Sequence, residues 1–151
     1  MDEFDFVVVG AGSSGGPIVD RLTAGGRYSV LLIEAGPEAT NPWIGIPLGF
    51  GKTFLNPAVN WKFVTQPEDQ LGGRQIYWPR GKVVGGSSAI NGMVYIRGLP
   101  SDYDSWRQMG NEGWSFDDCL PYFRRLEGHV DGGDELRGAD GPVKITQAEY
   151  R

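Results

Sequence analysis

The stretch "VVVGAGSSGG", residues 7–16, decides the fold of the N-terminal part of this chain. It joins a short apolar run, Phe4–Val9, which predicts a strand, to a predicted helix over about 13–24. A second apolar run, "SVLLI" at 29–33, predicts another strand, which ends at Glu34. Together these segments predict a β-α-β unit with two buried parallel strands and a right-handed crossover.

Three glycines and one acid give this unit the pattern of a dinucleotide site. Gly10 permits a tight turn, Gly12 lets the backbone approach a pyrophosphate, and Gly15 lets the helix pack closely on the strand. The helix N-terminus offers free N–H groups and the positive end of its dipole to phosphates. Glu34, about 20 residues further on, can bind an adenosine ribose and would repel a 2′-phosphate, so NADP is disfavoured. A purely structural glycine turn is the alternative, and the unit alone does not distinguish NAD from FAD.

Composition limits the other possibilities. The chain has 24 glycines, whereas average usage predicts about 11, which indicates tight turns or backbone close to a ligand. A formal net charge of −5 argues against nucleic-acid binding. The single Cys119 cannot form an internal disulfide, and a buried helix residue is favoured over a reactive thiol. We find no signal-peptide pattern, no apolar run of membrane-spanning length and no metal-ligand set, and expect a cytoplasmic protein, with peripheral membrane association left open.

Beyond Glu34 the pattern becomes irregular. Residues 35–71 are punctuated by prolines and predict a long, packed loop that buries Trp43 and Trp61. A short strand is predicted over 75–78.

The last third of the chain predicts two helices, a loop and a strand. Ser101 is the expected cap of a helix to Met109, and Ser115 of a helix to about Leu126. Residues 127–141 predict an exposed acidic loop that carries the solvated His129, and a strand is expected over 142–146. The expected apolar faces are Tyr103, Trp106 and Met109 in the first helix, and Phe116, Leu120, Phe123 and Leu126 in the second.

A second glycine segment, "GKVVGGSSAINGMVYIRGLPSDYD" at 81–104, adds to the dinucleotide prediction. Gly85 and Gly86 allow a ligand or another backbone to approach closely. The serine pair at 87–88 offers hydroxyl and amide groups at a predicted helix start. A second turn that can bind anions suits an extended dinucleotide that is contacted at two points. A surface loop is the alternative, but it fits poorly with the apolar residues that follow.

This second segment resembles the signature of the glucose–methanol–choline (GMC) oxidoreductases, which are FAD enzymes. The stretches "VVVGAGSSGG", "LLIEAG", "YWPRGK" and "GWSFDDCLPYF" also resemble the choline and alcohol dehydrogenase branch of that family, so the resemblance covers essentially the whole chain. It implies an α/β fold: a Rossmann-like FAD-binding β-α-β with additional helices and short strands, as an incomplete part of a larger two-domain fold. The signature residues are Lys82, Gly85, Gly86, Ser87, Ser88, Ile90, Asn91, Tyr95, Gly98 and Asp104.

The resemblance also implies roles for individual residues. The ADP half of FAD would lie along the first glycine turn and Glu34, with Trp61 nearby, and the flavin ring would pass residues 91–94. Some members attach FAD through a histidine at the position of Ile90, so non-covalent FAD is predicted here. The predicted cofactor-binding residues are Gly10, Gly12, Ser13, Ser14, Gly15, Glu34, Ala35, Trp61, Val83, Gly86, Ser87, Asn91, Gly92, Met93 and Val94.

The function that the resemblance implies is oxidation of a primary alcohol to an aldehyde, with hydride transfer to flavin N5. Family members are several times longer, and their catalytic histidine lies near the far C-terminal end, so no catalytic residue is assigned in this chain. We expect the remainder of the enzyme, or a complementary chain, to complete the fold, and the chain alone to bind FAD poorly and to associate. The predicted organisation is a β-α-β at 1–36, a loop-rich segment at 37–78, a flavin-contacting segment at 79–104, and helices, loop and strand at 105–151.

Three alternatives remain open. The same fold could serve a non-oxidative reaction, as in hydroxynitrile lyases or fatty-acid photodecarboxylases. The chain could also be a non-catalytic FAD-binding fragment or subunit. An NAD-only dehydrogenase is least favoured, because the second glycine segment would then have no role.

Overall fold

A computed structural model describes residues 3–147, which form two compact units divided after Val94. Each unit combines helices with short strands, so the predicted α/β class is confirmed.

The first unit begins with the predicted β-α-β arrangement. Strand β1 (Phe6–Val9) leads through the glycine turn into helix α1 (Gly15–Thr23), and strand β2 (Val30–Ile33) follows. The strands pair in parallel, with Phe6 opposite Val30 and Val9 opposite Ile33. Both strands therefore end at the same edge of the sheet, next to the glycine turn.

The prediction that these strands are buried is wrong. Val9 is 81% exposed, Val7 57% and Ile33 46%. Among residues 3–147 this sheet has two strands, and α1 packs on the face that carries the half-buried Val8. The opposite apolar face has no partner within the described residues. The continuous apolar runs of β1 and β2 are nevertheless typical of strands that are buried on both faces.

The segment 35–71 is more regular than predicted. It contains a short helix α2 (Phe50–Thr53), a strand β3 (Phe63–Val64) and two short 3-10 turns. Strand β3 pairs antiparallel with β4 (Tyr77–Trp78), which confirms the predicted strand in shorter form. Trp43 and Trp61 are each 44% exposed, so the expectation that both are buried is wrong.

A buried asparagine organises this segment. Asn60 is 2% exposed, and its amide nitrogen donates to the carbonyl of Phe54 at 2.9 Å. Its side-chain oxygen accepts from the backbone N–H groups of Lys62 at 2.8 Å and Arg80 at 3.1 Å. One side chain thus ties α2, β3 and the segment after β4 together, which local sequence patterns do not reveal.

The apolar core of the first unit is small. Val59, Val83 and Ile90 are 2%, 0% and 3% exposed, and Ile44 and Ala89 pack against them. The second glycine segment therefore runs through this core, and its residues 86–89 form a 3-10 turn where a helix start was predicted.

The second unit contains helices α3 (Pro100–Gln108) and α4 (Phe116–Leu126), and the parallel strands β5 (Glu127–His129) and β6 (Val143–Ile145). Tyr103 on α3 is its aromatic centre, because its ring lies 5.4 to 5.9 Å from the rings of Trp106, Phe116 and Phe123. The predicted apolar faces are exposed where they end, since Met109 is 71% exposed and Leu126 40%.

One of the two predicted helix caps is confirmed. The Ser115 hydroxyl accepts from the backbone N–H of Asp118 at 3.2 Å, at the start of α4. Helix α3 instead starts at Pro100, and the Asp102 carboxylate accepts from the Leu99 N–H at 2.8 Å. Proline suits the first helical position, so the helix begins one residue before Ser101. The prediction that Ser101 caps this helix is therefore wrong.

The predicted exposed loop at 127–141 is wrong in its first residues. Glu127 begins strand β5 and is 0% exposed. The side chain of His129 is 17% exposed and ends the same strand, so it is not a solvated loop histidine. Within residues 3–147, no helix is both long and apolar enough to cross a bilayer.

Candidate functional site

A cleft of about 660 Å³ lies in the first unit, where β1 and β2 end. Ligands of open α/β sheets bind outside the carboxyl ends of the strands, which is the place of this cleft. Many of the predicted cofactor-binding residues line it: Gly10, Gly12, Ser13, Ser14, Gly15, Glu34, Ala35, Trp61, Gly86 and Ser87.

The glycine turn has the geometry that its spacing predicts. Gly10 has a φ of +96°, in the left-handed region that favours glycine, and its N–H donates to the carbonyl of Ile33 at 2.7 Å. A Cβ on Gly15 would lie 1.9 Å from the Gly10 carbonyl oxygen. Gly15 therefore has to be glycine for α1 to begin so close to β1.

The two glycine segments meet inside the cleft. A Cβ on Gly86 would lie 2.7 Å from the Cα of Gly12, and the Gly85 N–H donates to the Ala11 carbonyl at 2.8 Å. The hydroxyls of Ser13 and Ser88 are hydrogen-bonded to each other. Since no side chain intervenes between Gly12 and Gly86, the floor of the cleft is bare backbone beside the N-terminus of α1. That surface suits phosphates.

Glu34 is half-buried at the end of β2, and both of its carboxylate oxygens accept backbone hydrogen bonds. Oε2 accepts from the N–H of Ala11 and Oε1 from the N–H of Gly36, each at 2.8 Å. A carboxylate oxygen can accept two hydrogen bonds, so each oxygen retains room for a ribose hydroxyl.

One wall of the cleft is aromatic and basic. The rings of Trp61 and Phe63 stack with centroids 5.8 Å apart, and the Lys82 ammonium lies 4.7 Å from the centre of the Trp61 ring. Of Lys82 and Arg80, Arg80 is the cation that lines the cleft. The sequence reasoning missed Phe63 and Arg80, although Arg80 precedes the second glycine segment and could have been read as a phosphate partner.

The remaining predicted residues do not line the cleft. Val83 is 0% exposed and belongs to the core. Residues 91–94 are exposed, and Met93 has an unusual φ of +58° that the Asn91 side chain supports by accepting from the Met93 N–H at 2.7 Å. The structure thus brings the predicted ADP-binding residues together and leaves the predicted flavin-contacting residues on a separate, exposed stretch.

A buried ion-pair cluster in the second unit was missed by the sequence reasoning. The Glu127 carboxylate accepts from Arg97 Nε at 2.9 Å, Arg137 Nη1 at 3.0 Å and the Gly138 N–H at 3.1 Å. Burial opposes ionisation of Glu127, but hydrogen bonds from Arg97, Tyr95 and Gly138 outweigh it and lower its pKa to about 2. In the sequence, Glu127 starts an acidic run that resembles a solvated loop. Its partner Arg97 lies 30 residues away along the chain, so local patterns did not indicate that Glu127 is buried.

Two groups with possible chemistry are not arranged for catalysis. Cys119 is half-buried in α4, and burial together with the nearby Asp118 carboxylate raises the pKa of its thiol, which disfavours the reactive thiolate. His129 Nδ1 lies 3.8 Å from the Asp131 carboxylate and accepts from the Asp131 N–H at 3.3 Å.

A hollow of about 950 Å³ lies in the second unit, between α4 and residues 133–141. Arginines and acids of opposite charge line it, and none of the predicted cofactor-binding residues does. The cleft in the first unit is therefore the better candidate site.

Comparison with known proteins decides the family. A family model described as GMC oxidoreductase matches residues 4–150. This chain belongs to the GMC oxidoreductase family. The family and fold class predicted from the two glycine segments are thereby confirmed.

Individual members of the GMC family are similar along nearly the whole chain. An oxygen-dependent choline dehydrogenase of Photobacterium profundum is 49% identical over 140 residues, which are 93% of this chain and 25% of that protein. The crystal structure of pyridoxine 4-oxidase from Mesorbium loti matches with a TM-score of 0.85 at 38% identity, over 94% of this chain and 28% of that one. An FAD-dependent oxidoreductase from Chaetomium thermophilum matches with a TM-score of 0.83 at 37% identity, over 98% of this chain and 27% of that one.

The GMC relatives are much longer than this chain, which spans about a quarter of the length of those it matches. The family, and an FAD-dependent enzyme among the similar structures, support FAD as the cofactor.

Proposed function

We propose that the cleft binds the ADP half of FAD, and that the chain is the FAD-binding part of an enzyme that oxidises a primary alcohol to an aldehyde. The observation that carries this proposal is the backbone contact between Gly12 and Gly86 at the ends of β1 and β2. It creates a cradle without side chains, and a Cβ at Gly86 would force the two backbone segments apart.

Each part of FAD has a proposed partner in this chain. The pyrophosphate would lie on the backbone N–H groups of the glycine turn and the start of α1, with Arg80 adding positive charge from the lining of the cleft. The adenosine ribose would bind Glu34. Residues 91–94 would pass the flavin ring, whereas Val83 is 0% exposed and would support the cofactor site only from the core beneath it.

The chemistry divides between the cofactor and the protein. Bound FAD supplies the hydride acceptor for alcohol oxidation. The residues of this chain hold and orient the cofactor, and we assign none of them as the base that takes the hydroxyl proton. That base would come from the remainder of the enzyme. Attachment of FAD would be non-covalent, because the hydrocarbon side chain of Ile90 is 3% exposed in the core and has no nucleophile.

The names of the similar proteins support an alcohol as substrate, since choline and pyridoxine both carry a primary hydroxyl group. We therefore propose a small primary alcohol, choline-like in the first instance, as the electron donor.

The test is anaerobic addition of choline and simple primary alcohols to the complete protein that carries this sequence. Loss of the visible flavin absorbance on addition is expected. Absence of bleaching by every alcohol would argue against the oxidation and favour a non-oxidative use of FAD or a non-catalytic FAD-binding subunit. A protein without flavin absorbance, even after incubation with FAD, would contradict the cofactor proposal itself. Acid precipitation should release the flavin into the supernatant, and yellow colour in the pellet would contradict non-covalent binding.

A matched pair of glycine variants tests the cradle. Gly86→Ala should abolish FAD binding, because its Cβ would lie 2.7 Å from the Cα of Gly12 and the residue has a φ of +55°. Gly51→Ala in α2 meets nothing within 4 Å and should retain FAD. Equal flavin content in the two purified variants would contradict the proposed site.

A further inference from the structure

Glu34 makes more contacts with the protein than a ribose-binding acid needs. Its carboxylate accepts from two backbone N–H groups on different segments, Ala11 in the glycine turn and Gly36 after β2, each at 2.8 Å. Ala11 is 6% exposed, so its N–H has little access to water and depends on this acceptor.

The two residues that donate to Glu34, Ala11 and Gly36, each lie in a segment that contacts the second glycine segment. The Ala11 carbonyl accepts from the N–H of Gly85 at 2.8 Å. A Cβ on Gly36 would lie 2.1 Å from the carbonyl carbon of Lys82, so Gly36 packs directly on that backbone. The carbonyl of Pro37, the next residue, accepts from the N–H of Val84 at 3.0 Å. The carboxylate of Glu34 therefore joins the two backbone segments on which residues 82–85 rest.

We propose that Glu34 is a positioning residue, which holds the two glycine segments in register before any nucleotide binds, in addition to any contact with the ribose. The expected effect on cofactor affinity rests on the proposed function. The contacts of Glu34 with the backbone do not depend on it. Charged hydrogen bonds to buried backbone groups are stronger than neutral ones, so a carboxylate suits this role better than an amide.

The first experiment needs no cofactor. Backbone amide hydrogen exchange is measured in the ligand-free complete protein for the wild type, Glu34→Gln and the control Glu38→Gln, an exposed acid of the same segment. In E34Q the side-chain amide keeps one acceptor oxygen and places an NH₂ group against the other N–H. We expect faster exchange at Ala11 or Gly36 in E34Q, and wild-type exchange in E38Q. Unchanged exchange at both amides in E34Q would overturn the proposal.

The second experiment separates positioning from ribose recognition. The affinity of the apoprotein is measured for ADP and for 2′,3′-dideoxyadenosine diphosphate, which lacks the ribose hydroxyls. A positioning role predicts that E34Q weakens both probes, with about a tenfold loss for the dideoxy probe that has no hydroxyl to bind. A loss confined to ADP would show a ribose contact alone and overturn the proposal.

The outcomes distinguish a failure of this inference from a failure of the proposed function. If the wild type binds neither ADP nor FAD, the proposed function fails, and the exchange experiment still decides the role of Glu34. If E34Q does not fold, Glu34→Asp replaces it. Its shorter side chain keeps the charge but cannot reach both N–H groups, so it should show the same faster exchange. Wild-type exchange in E34D would count against the proposal.

Discussion

Gly15 and Gly16 are neighbours in the first turn of α1, but they differ in what an added methyl group would meet. At Gly15 a Cβ would lie 1.9 Å from the Gly10 carbonyl oxygen, whereas at Gly16 nothing lies within 4 Å. The glycine of the sequence pattern is thus sterically required, and the adjacent one is not.

This difference predicts opposite effects of the same substitution. Gly15→Ala should lower the free energy of unfolding by about 1–3 kcal/mol or more, because the helix has to move away from β1, and it should abolish FAD binding. Gly16→Ala should raise stability by about 0.5–1 kcal/mol, since alanine is the better helix former. Thermal denaturation and flavin content of the two variants check this. A Gly15→Ala protein as stable as Gly16→Ala would contradict the close approach of α1 and β1.

Glu127 shows how a single buried charge links stability to pH. Its pKa in the folded protein is about 2, below its ordinary value of 4.5, because Arg97 and its other partners overcome the effect of burial. The fold therefore favours the charged carboxylate. Its contribution to stability is present above pH 4.5 and is lost as the pH falls toward 2.

The variant Glu127→Gln should remove this contribution. We expect it to lower the free energy of unfolding at neutral pH by about 3–5 kcal/mol, since it leaves Arg97 buried without its charge partner. It should also make the decline in stability between pH 4.5 and 2 shallower than in the wild type. Urea denaturation across this pH range measures both effects, with Glu135→Gln, an exposed acid, as the control. Parallel pH profiles for wild type and E127Q would contradict the stabilising role of the ion-pair cluster.

The two helices of the second unit begin in different ways. Ser115 caps α4 through its hydroxyl, and the Asp118 carboxylate accepts in return from the Ser115 N–H at 3.1 Å. Ser101 lies inside α3, after Pro100, and caps nothing.

Alanine substitutions at the two serines should therefore have unequal effects. Ser115→Ala should cost about 1 kcal/mol of stability, the typical loss for a helix N-cap. Ser101→Ala should change stability by less than about 0.5 kcal/mol, as expected for an exposed site without such a contact. Chemical denaturation midpoints of the two variants provide the measurement, and equal losses would show that the assigned start of α3 is incorrect.

The exposed apolar face of β1 and β2 affects the stability of the whole chain. Val7 and Val9 alternate with Val8, so they share the face opposite α1, and both are more than half exposed. Two-stranded parallel sheets with an open apolar face are not stable by themselves in water. The matched relatives are about four times as long as this chain, so their additional sequence could supply a cover.

The isolated 151-residue chain should accordingly self-associate. Sedimentation velocity over a range of concentrations should show species larger than a monomer. Replacing Val7 and Val9 with threonine should reduce the association, because the exposed face becomes more polar while the β-branched shape is kept. A monomeric wild-type chain at every concentration would contradict this prediction.

Several features of the fold could be predicted because they depend on neighbouring residues. The glycines at 10, 12 and 15 constrain one turn, and apolar runs on either side predict the strands that pair in parallel. The serine and aspartate at the start of α4 form a cap within three residues. In each case the spacing of residue types within a short stretch carries the information, although the two paired strands are themselves separated along the chain.

Other features depended on contacts between residues that are distant along the chain. The approach of Gly86 to Gly12 and the hydrogen bonds of Glu34 with Ala11, of Asn60 with Arg80 and of Glu127 with Arg97 all join segments that are distant along the chain. A polar residue in a proline-rich or acidic stretch has the same sequence pattern whether it is solvated or buried. Only the tertiary structure brings its partners within hydrogen-bonding distance, and those partners offset the free-energy cost of removing it from water.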